Sequence, residues 1–389
     1  MWCASRVLIG VGESPGDQVL SKSLRALAQL IAVLFAGCLL ASCSEQAQPQ
    51  NVLNVYNWTD YIAPDVLTEF EKEYGITVNY DVFDSNEVLE TKLLAGNTGY
   101  DVVVPSASFM QRQIIAGVFQ KLDKAQLPNL KNMDPEIMKL IAPNDPGNQY
   151  AVDYFWGTDG IAYNEAMIEA AMPHAPVDSF GMFYDPAVVK HFQNCGVTLL
   201  DAPDEVVGTV LLYLGRNPGS ESLDDLKAAE QVLHSIRPYI RYINSSKYIE
   251  DLANGEVCLS LGWSGDAGIA AARAREAGKG ITVRYHIPKE GSITFFDMLT
   301  IPTDALHVKN AHLFINFLMR PDIAARNSSL MHYAVSNEAA YPLVAPAVAN
   351  DRGIYPDAET KKHLFPNVAH SQHFTRELNR MWTRFKTAK

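Results

Sequence analysis

From Val52 onward, short apolar runs that read as strands alternate with runs of helical pattern, and this order limits the fold more than any other feature of the chain. "VLNVYN" reads as a strand. Pro64 opens a helix through "DVLTEFEKEYG" that Gly75 stops, with proline at the first turn and glycine after the last. "ITVNYDVF" reads as a second strand and "YDVVVP" as a third. Between them "NEVLETKLLAG" reads as a helix capped by Asp84, with Glu87 reaching back. Strands joined through helices cannot pair as hairpins, so the expected sheet is largely parallel and covered by helices.

The alternation pauses in the Pro/Asn-rich stretch from Leu127, passes through "YAVDYFWGTDGIAYN" as extended chain, and then resumes. At 389 residues the chain suits two lobes better than one. No composition shift marks a single linker, which fits a chain that crosses between lobes more than once. The expected fold is α/β in two lobes, each a sheet flanked by helices. Lobe 1 is expected over 52–157 plus about 278–335, and lobe 2 over 158–277 plus about 336–389.

The first residues read as a leader. Lys22 and Arg25 precede the apolar run Leu27 to Ala41, which is short for a membrane span. It ends in "LASC", which resembles a bacterial lipobox with Cys43 as the lipidated residue, or alternatively as a neighbour of a plain cleavage site. Residues 1–43 are therefore expected to be leader and 44–51 a polar tether. A body outside the cytoplasm is expected, touching a membrane only through that lipid. The formal charge of −12 argues against a nucleic-acid partner, which requires a basic footprint. Cys195 and Cys258 are the two cysteines outside the leader, a pair that an oxidising compartment can join. No histidine spacing suits a metal and no cofactor loop is present, so neither metal nor cofactor is expected.

Open α/β sheets bind ligands at the carboxyl ends of their strands. There this chain places aromatic rings and carboxylates repeatedly. "NWTDY" supplies Trp58, Thr59, Asp60 and Tyr61. "PSAS" supplies Ser106, and Glu205 lies in "APDE". "GWSGD" carries Trp263 and Asp266, "TFFDM" carries Phe295 and Asp297, and Tyr333 follows in "LMHYAVS". Each has an ordinary explanation as well. Asp266 and Asp60 can cap helices, Ser108 with Gln111 can form a capping box, and the rings can be core. A ring-walled slot with acids at its ends would suit an alkyl chain with separated positive charges. Carboxylates would hold its ammonium groups, and ring faces would cover its methylenes.

The body resembles the periplasmic polyamine-binding proteins of ABC importers, nearest the putrescine-binding branch. The resemblance rests on "YNWTDYIAPDVLTEFEKEYGI", "YDVFDSNEVLETKLLAG", "DVVVPSASF", "LDAPDEV", "GWSGD", "IPKEG", "FFDM" and "GIYP" in order. It implies aromatic walls at Trp58, Tyr61, Trp263, Phe295 and Tyr333. It implies amine-binding carboxylates at Asp266, Asp297 and Glu205 with Asp60 nearby, and hydroxyl contacts at Thr59 and Ser106. It also implies a two-lobed fold, each lobe a mixed sheet flanked by helices, with a ligand cleft at the hinge, a Cys195–Cys258 disulfide, a polyamine ligand, an inner-membrane ABC permease as partner, and a monomer in the periplasm.

Departures from the family pattern are Thr59, where serine is frequent, Asp159, which adds an acid near the crossover, and the stretch "HLFPNVAHSQHF", which is expected to line one end of the slot. The function expected is capture of a polyamine, putrescine favoured, without catalysis. Alternatives are a spermidine-preferring binder, a polyamine sensor, and a carboxylate-dependent glycoside hydrolase using Asp266 and Asp297.

Overall fold

Strands β1 (Val52–Trp58), β2 (Thr77–Phe83) and β3 (Val102–Val103) run parallel with β1 in the middle, as the opening alternation requires. This computed structural model describes residues 51–387; the leader with Cys43 and nearly all of the tether lie outside the described residues. Helix α1 (Pro64–Tyr74) joins β1 to β2, burying Val66 and Phe70. Gly75 ends it at φ 66°, left-handed backbone that glycine adopts without a Cβ penalty. Phe70 meets Phe314 and Phe317 at centroid distances of 5.0 and 5.3 Å, and each such buried ring is worth about 1.5–3 kcal/mol.

Helix α2 (Asn86–Ala95) joins β2 to β3, but its cap is not Asp84. The chain stays extended through Ser85, whose Oγ accepts from the Val88 amide at 3.2 Å. Asp84 is left free of the helix. At the next helix, α3 (Ala107–Ile115), the capping box also fails to form, and Ser108 Oγ is buried without a partner.

The two lobes share a spine that the sequence shows only as extended chain. Strand β4 (Ala151–Asn164) has every residue buried. Over its first half it pairs antiparallel with β9 (Ser292–Thr300), and over its second half with β7 (Leu259–Trp263). The sheet order is β2-β1-β3-β9-β4-β7-β5-β6, with β5 (Val197–Leu199) and β6 (Ile240–Ile243) at the far end. Strand β8 (Val283–His286) adds to β4, and β10 (Leu364–Pro366) to β9. One lobe is thus built on parallel β1–β3 and the other on parallel β5–β7, each made mixed by an antiparallel neighbour, β9 and β4. The Cys195–Cys258 disulfide fastens the turn before β5 to the start of β7.

Four further helices position the site. These are α4 (Pro203–Tyr213) after β5, α5 (Lys247–Asn254) after β6, α6 (Ser264–Ala277) after β7, and α7 (Pro321–Met331) on the first lobe. Arg326 ties α7 to α1 through Asp65 and Glu69, at 3.1 and 2.7 Å. Arg273 ties α6 to α5 through Glu250 at 2.7 Å.

Candidate functional site

Residues from both lobes converge on one hollow. Trp58, Thr59 and Tyr61 come from the end of β1, Ser106 from the turn after β3, and Phe295 and Asp297 from β9. Across from them stand Glu205 of α4 and Trp263 and Asp266 at the β7–α6 junction, while Tyr333, after α7, lies beside Tyr61. The rings make its walls. Trp58 and Trp263 meet edge to face at 5.9 Å, Trp263 and Phe295 lie 6.2 Å apart, and Tyr61 and Tyr333 lie 4.7 Å apart. Gly157 of β4 makes room for the Phe295 ring, because a Cβ there would lie 2.6 Å from its Cζ.

The acids are buried among neutral donors. Asp297 accepts from Tyr61 Oη at 2.5 Å and from Ser106 Oγ at 2.6 Å. Asp266 accepts from Tyr333 Oη at 2.5 Å and from Tyr248 Oη at 2.8 Å, so it does not cap the helix in whose first turn it sits. Glu205 accepts from the Trp263 indole at 2.8 Å. Among the described residues, no lysine, arginine or histidine lines the hollow. Burial raises Asp297 to about 6, opposed by its Ser106 and Tyr61 hydrogen bonds, and Asp266 to about 7, opposed by Tyr333 and Tyr248. Glu205 rises to about 8, first through burial, with the Trp263 hydrogen bond opposing and Asp297, Asp204 and Glu87 adding repulsion. Three buried acids with no basic neighbour in the lining cannot all ionise cheaply, and a cation placed among them lowers that cost.

Asp60 is the exception among the sequence candidates. Its φ of 54° turns it out of the hollow to the rim, where it meets Arg273 Nη2 of α6 at 2.9 Å. The pair spans the two lobes. Both side chains are about a third exposed, and such a pair contributes about 0.2–1 kcal/mol. Replacing Arg273 by alanine should therefore weaken ligand binding about twofold to fivefold, mainly by faster release, with the loss shrinking at high salt. Stopped-flow dissociation rates check it.

Sequence reading missed several contributors. Tyr248 of α5 is fully buried, donates to Asp266 and accepts from the Trp263 amide at 3.0 Å, which positions both. Nothing in "SKYIEDLANG" separates it from an ordinary core tyrosine. Asp84, expected as a cap, lines the hollow, as do Ser245, Ser246 and Ile249.

A second hollow adjoins the first past Trp58, Glu205 and Trp263, adding Glu87, Asp201, Asp204 and Asn367. Asn367 comes from the divergent "HLFPNVAHSQHF" stretch. Asp159 is fully buried on β4 opposite Trp263, and neither carboxyl oxygen has a partner among the described residues. Burial, reinforced by Glu205, holds it well above the usual carboxylate range.

The family model for bacterial extracellular solute-binding proteins matches residues 65–355. The chain belongs to that family. It is 49% identical over 359 residues to the putrescine-binding periplasmic protein PotF of Escherichia coli, covering 92% of this chain and 97% of PotF. It is 50% identical over 364 residues to the putrescine-binding periplasmic protein SpuD of Pseudomonas aeruginosa, covering 92% and 98%. Among solved structures, the spermidine/putrescine ABC transporter substrate-binding protein PotD of Streptococcus pneumoniae superposes with a TM-score of 0.71 at 30% identity, covering 86% of this chain and 98% of that one. These solute-binding relatives are binding proteins, not enzymes. The two-lobed fold with its cleft at the crossover is the one this family shares. No described helix is long and apolar enough to cross a membrane.

Proposed function

We propose that this chain captures a linear aliphatic diamine, putrescine favoured, in the hollow between its lobes and passes it to an ABC permease of the inner membrane as a monomer. The observation that carries this reading is the set of three buried carboxylates, Asp266, Asp297 and Glu205, in a ring-walled slot whose lining, among the described residues, holds no basic one. One ammonium would sit at Asp297 with Ser106 behind it, the other at Asp266, and the methylenes between Trp58, Trp263 and Phe295. Charge-assisted hydrogen bonds at both ends fix length as well as charge. The names of the relatives support the choice of ligand. Thr59 keeps a hydroxyl at the slot and adds a methyl there.

The adjoining hollow supports a triamine as the second reading. Asp201 and Asp204 lie beyond Glu205, where an aminopropyl extension would place a third ammonium. Tryptophan fluorescence titrated with butylamine, putrescine, cadaverine and spermidine tests both. A two-ended diamine site holds putrescine at least 100-fold tighter than butylamine. Equal affinity for the two overturns the reading, and spermidine above putrescine moves the preference to the triamine.

The lobes would be 52–157 with about 278–335 and 158–277 with about 336–389, closing over the ligand. Cys43 would carry a lipid that holds the periplasmic body at a membrane. Replacing Cys43 by alanine should move the protein from the membrane fraction to the soluble one. A wild type already soluble contradicts the anchor.

A further inference from the structure

Two glycines of α6 lie where the lobes touch. A Cβ on Gly265 would stand 2.2 Å from the Tyr333 ring, and one on Gly268 would stand 2.5 Å from His332 Cβ and 2.9 Å from its Cγ. Real Cβ atoms do not approach carbon so closely, so each glycine is a socket for the residue opposite. His332 itself is held at φ 57° as the C-cap of α7, a position glycine would take more easily. The strain is tolerated where its imidazole packs onto α6. Helix α7 moves with the first lobe, to which Arg326 and the Ala63 amide to Asn327 Oδ1 bond fasten it. Helix α6 continues from β7 and is fastened to α5, so it moves with the second.

We infer that Gly265 and Gly268 are the sockets of a closure contact, receiving Tyr333 and His332 only when the lobes shut, and that a side chain at position 268 holds the cleft ajar. Gly268 is outside the ligand hollow. It lines a separate groove with Arg275, Tyr285 and Asp351, and so acts through closure rather than by touching ligand. It is a positioning residue. The same geometry explains why a helix interior keeps glycine where alanine would be the better helix former.

The inference rests on the amine-binding reading, and one experiment separates the two. Wild type, Gly268→Ala, and the double variant Gly268→Ala with His332→Gly are each titrated with putrescine and melted without ligand. Because alanine favours the helix, G268A keeps or raises the ligand-free melting temperature while its putrescine affinity falls at least tenfold through faster release. Removing the opposing imidazole and its Cβ restores affinity to within threefold of wild type. Local packing damage alone would lower the ligand-free melting temperature and leave the double variant no better. Unchanged affinity in G268A, or a double variant no tighter than the single, overturns the inference. A wild type that takes up no amine overturns the binding reading instead.

Discussion

Replacing Asp297 by asparagine should cost putrescine affinity about 30- to 5,000-fold while leaving the ligand-free protein at least as stable as before. The carboxylate sits at 3% exposure with two neutral donors, Tyr61 and Ser106, committed to it. An ammonium brought there exchanges water for a buried ion pair, and deleting one partner of such a pair costs about 2–5 kcal/mol, which sets the range quoted. Asparagine keeps the shape and one carbonyl oxygen, so one hydroxyl goes on donating to that oxygen and the other turns to accept from the new amide. It also removes a carboxyl that burial disfavours in charged form, so the empty protein loses nothing by the change. Isothermal titration with a parallel thermal melt checks both halves. A loss of binding accompanied by a fall in melting temperature would mean that Asp297 holds the fold together and not the ligand.

Affinity should also climb steeply with pH. An aliphatic amine stays charged below about pH 9. Asp297, Asp266 and Glu205 lie at about 6, 7 and 8 in the empty protein, so acidification protonates the groups that must be charged when the ligand is held. Between pH 8 and 5.5 the affinity should fall by at least about 100-fold, since each such group contributes up to tenfold per pH unit below its own midpoint. The empty protein shows the opposite trend. Carboxyls raised in the folded state bind more protons folded than unfolded, so their contribution to stability is full below about pH 4 and is lost as the pH rises through 6 to 8. Saturating putrescine reverses that slope. An affinity that is flat or rises on acidification contradicts the assignment of buried, proton-holding acids to the amine site.

The sequence reveals the parts of this molecule that local chemistry dictates. Pro64 and Gly75 bound α1 because their backbone constraints act without help from the rest of the fold. The recurrence of rings and acids is visible because parallel strands present their carboxyl ends on one side, as Trp58 and Asp266 do, whereas Asp297 reaches the same hollow from the interior of antiparallel β9. What stays hidden depends on neighbours distant in the chain. Strand β4 is buried on both faces and so shows neither the alternation nor the short apolar run of an ordinary strand. Tyr248 acquires its part only because α5 packs behind the β7–α6 junction. Asp60 sits between Thr59 and Tyr61, yet one left-handed residue sends it to Arg273. The Asp84 error is one residue of extended backbone at Ser85, within the ordinary uncertainty of a helix start.

The most direct test is calorimetric titration of the body of the chain, residues 44–389, at pH 8 with putrescine and with 1,4-butanediol, which shares the length and apolar middle but carries no charge. The account predicts one-site saturable binding of the diamine at micromolar affinity or tighter, and no measurable heat from the diol. Comparable binding of both, or of neither, would contradict a cleft built from buried acids to hold separated positive charges.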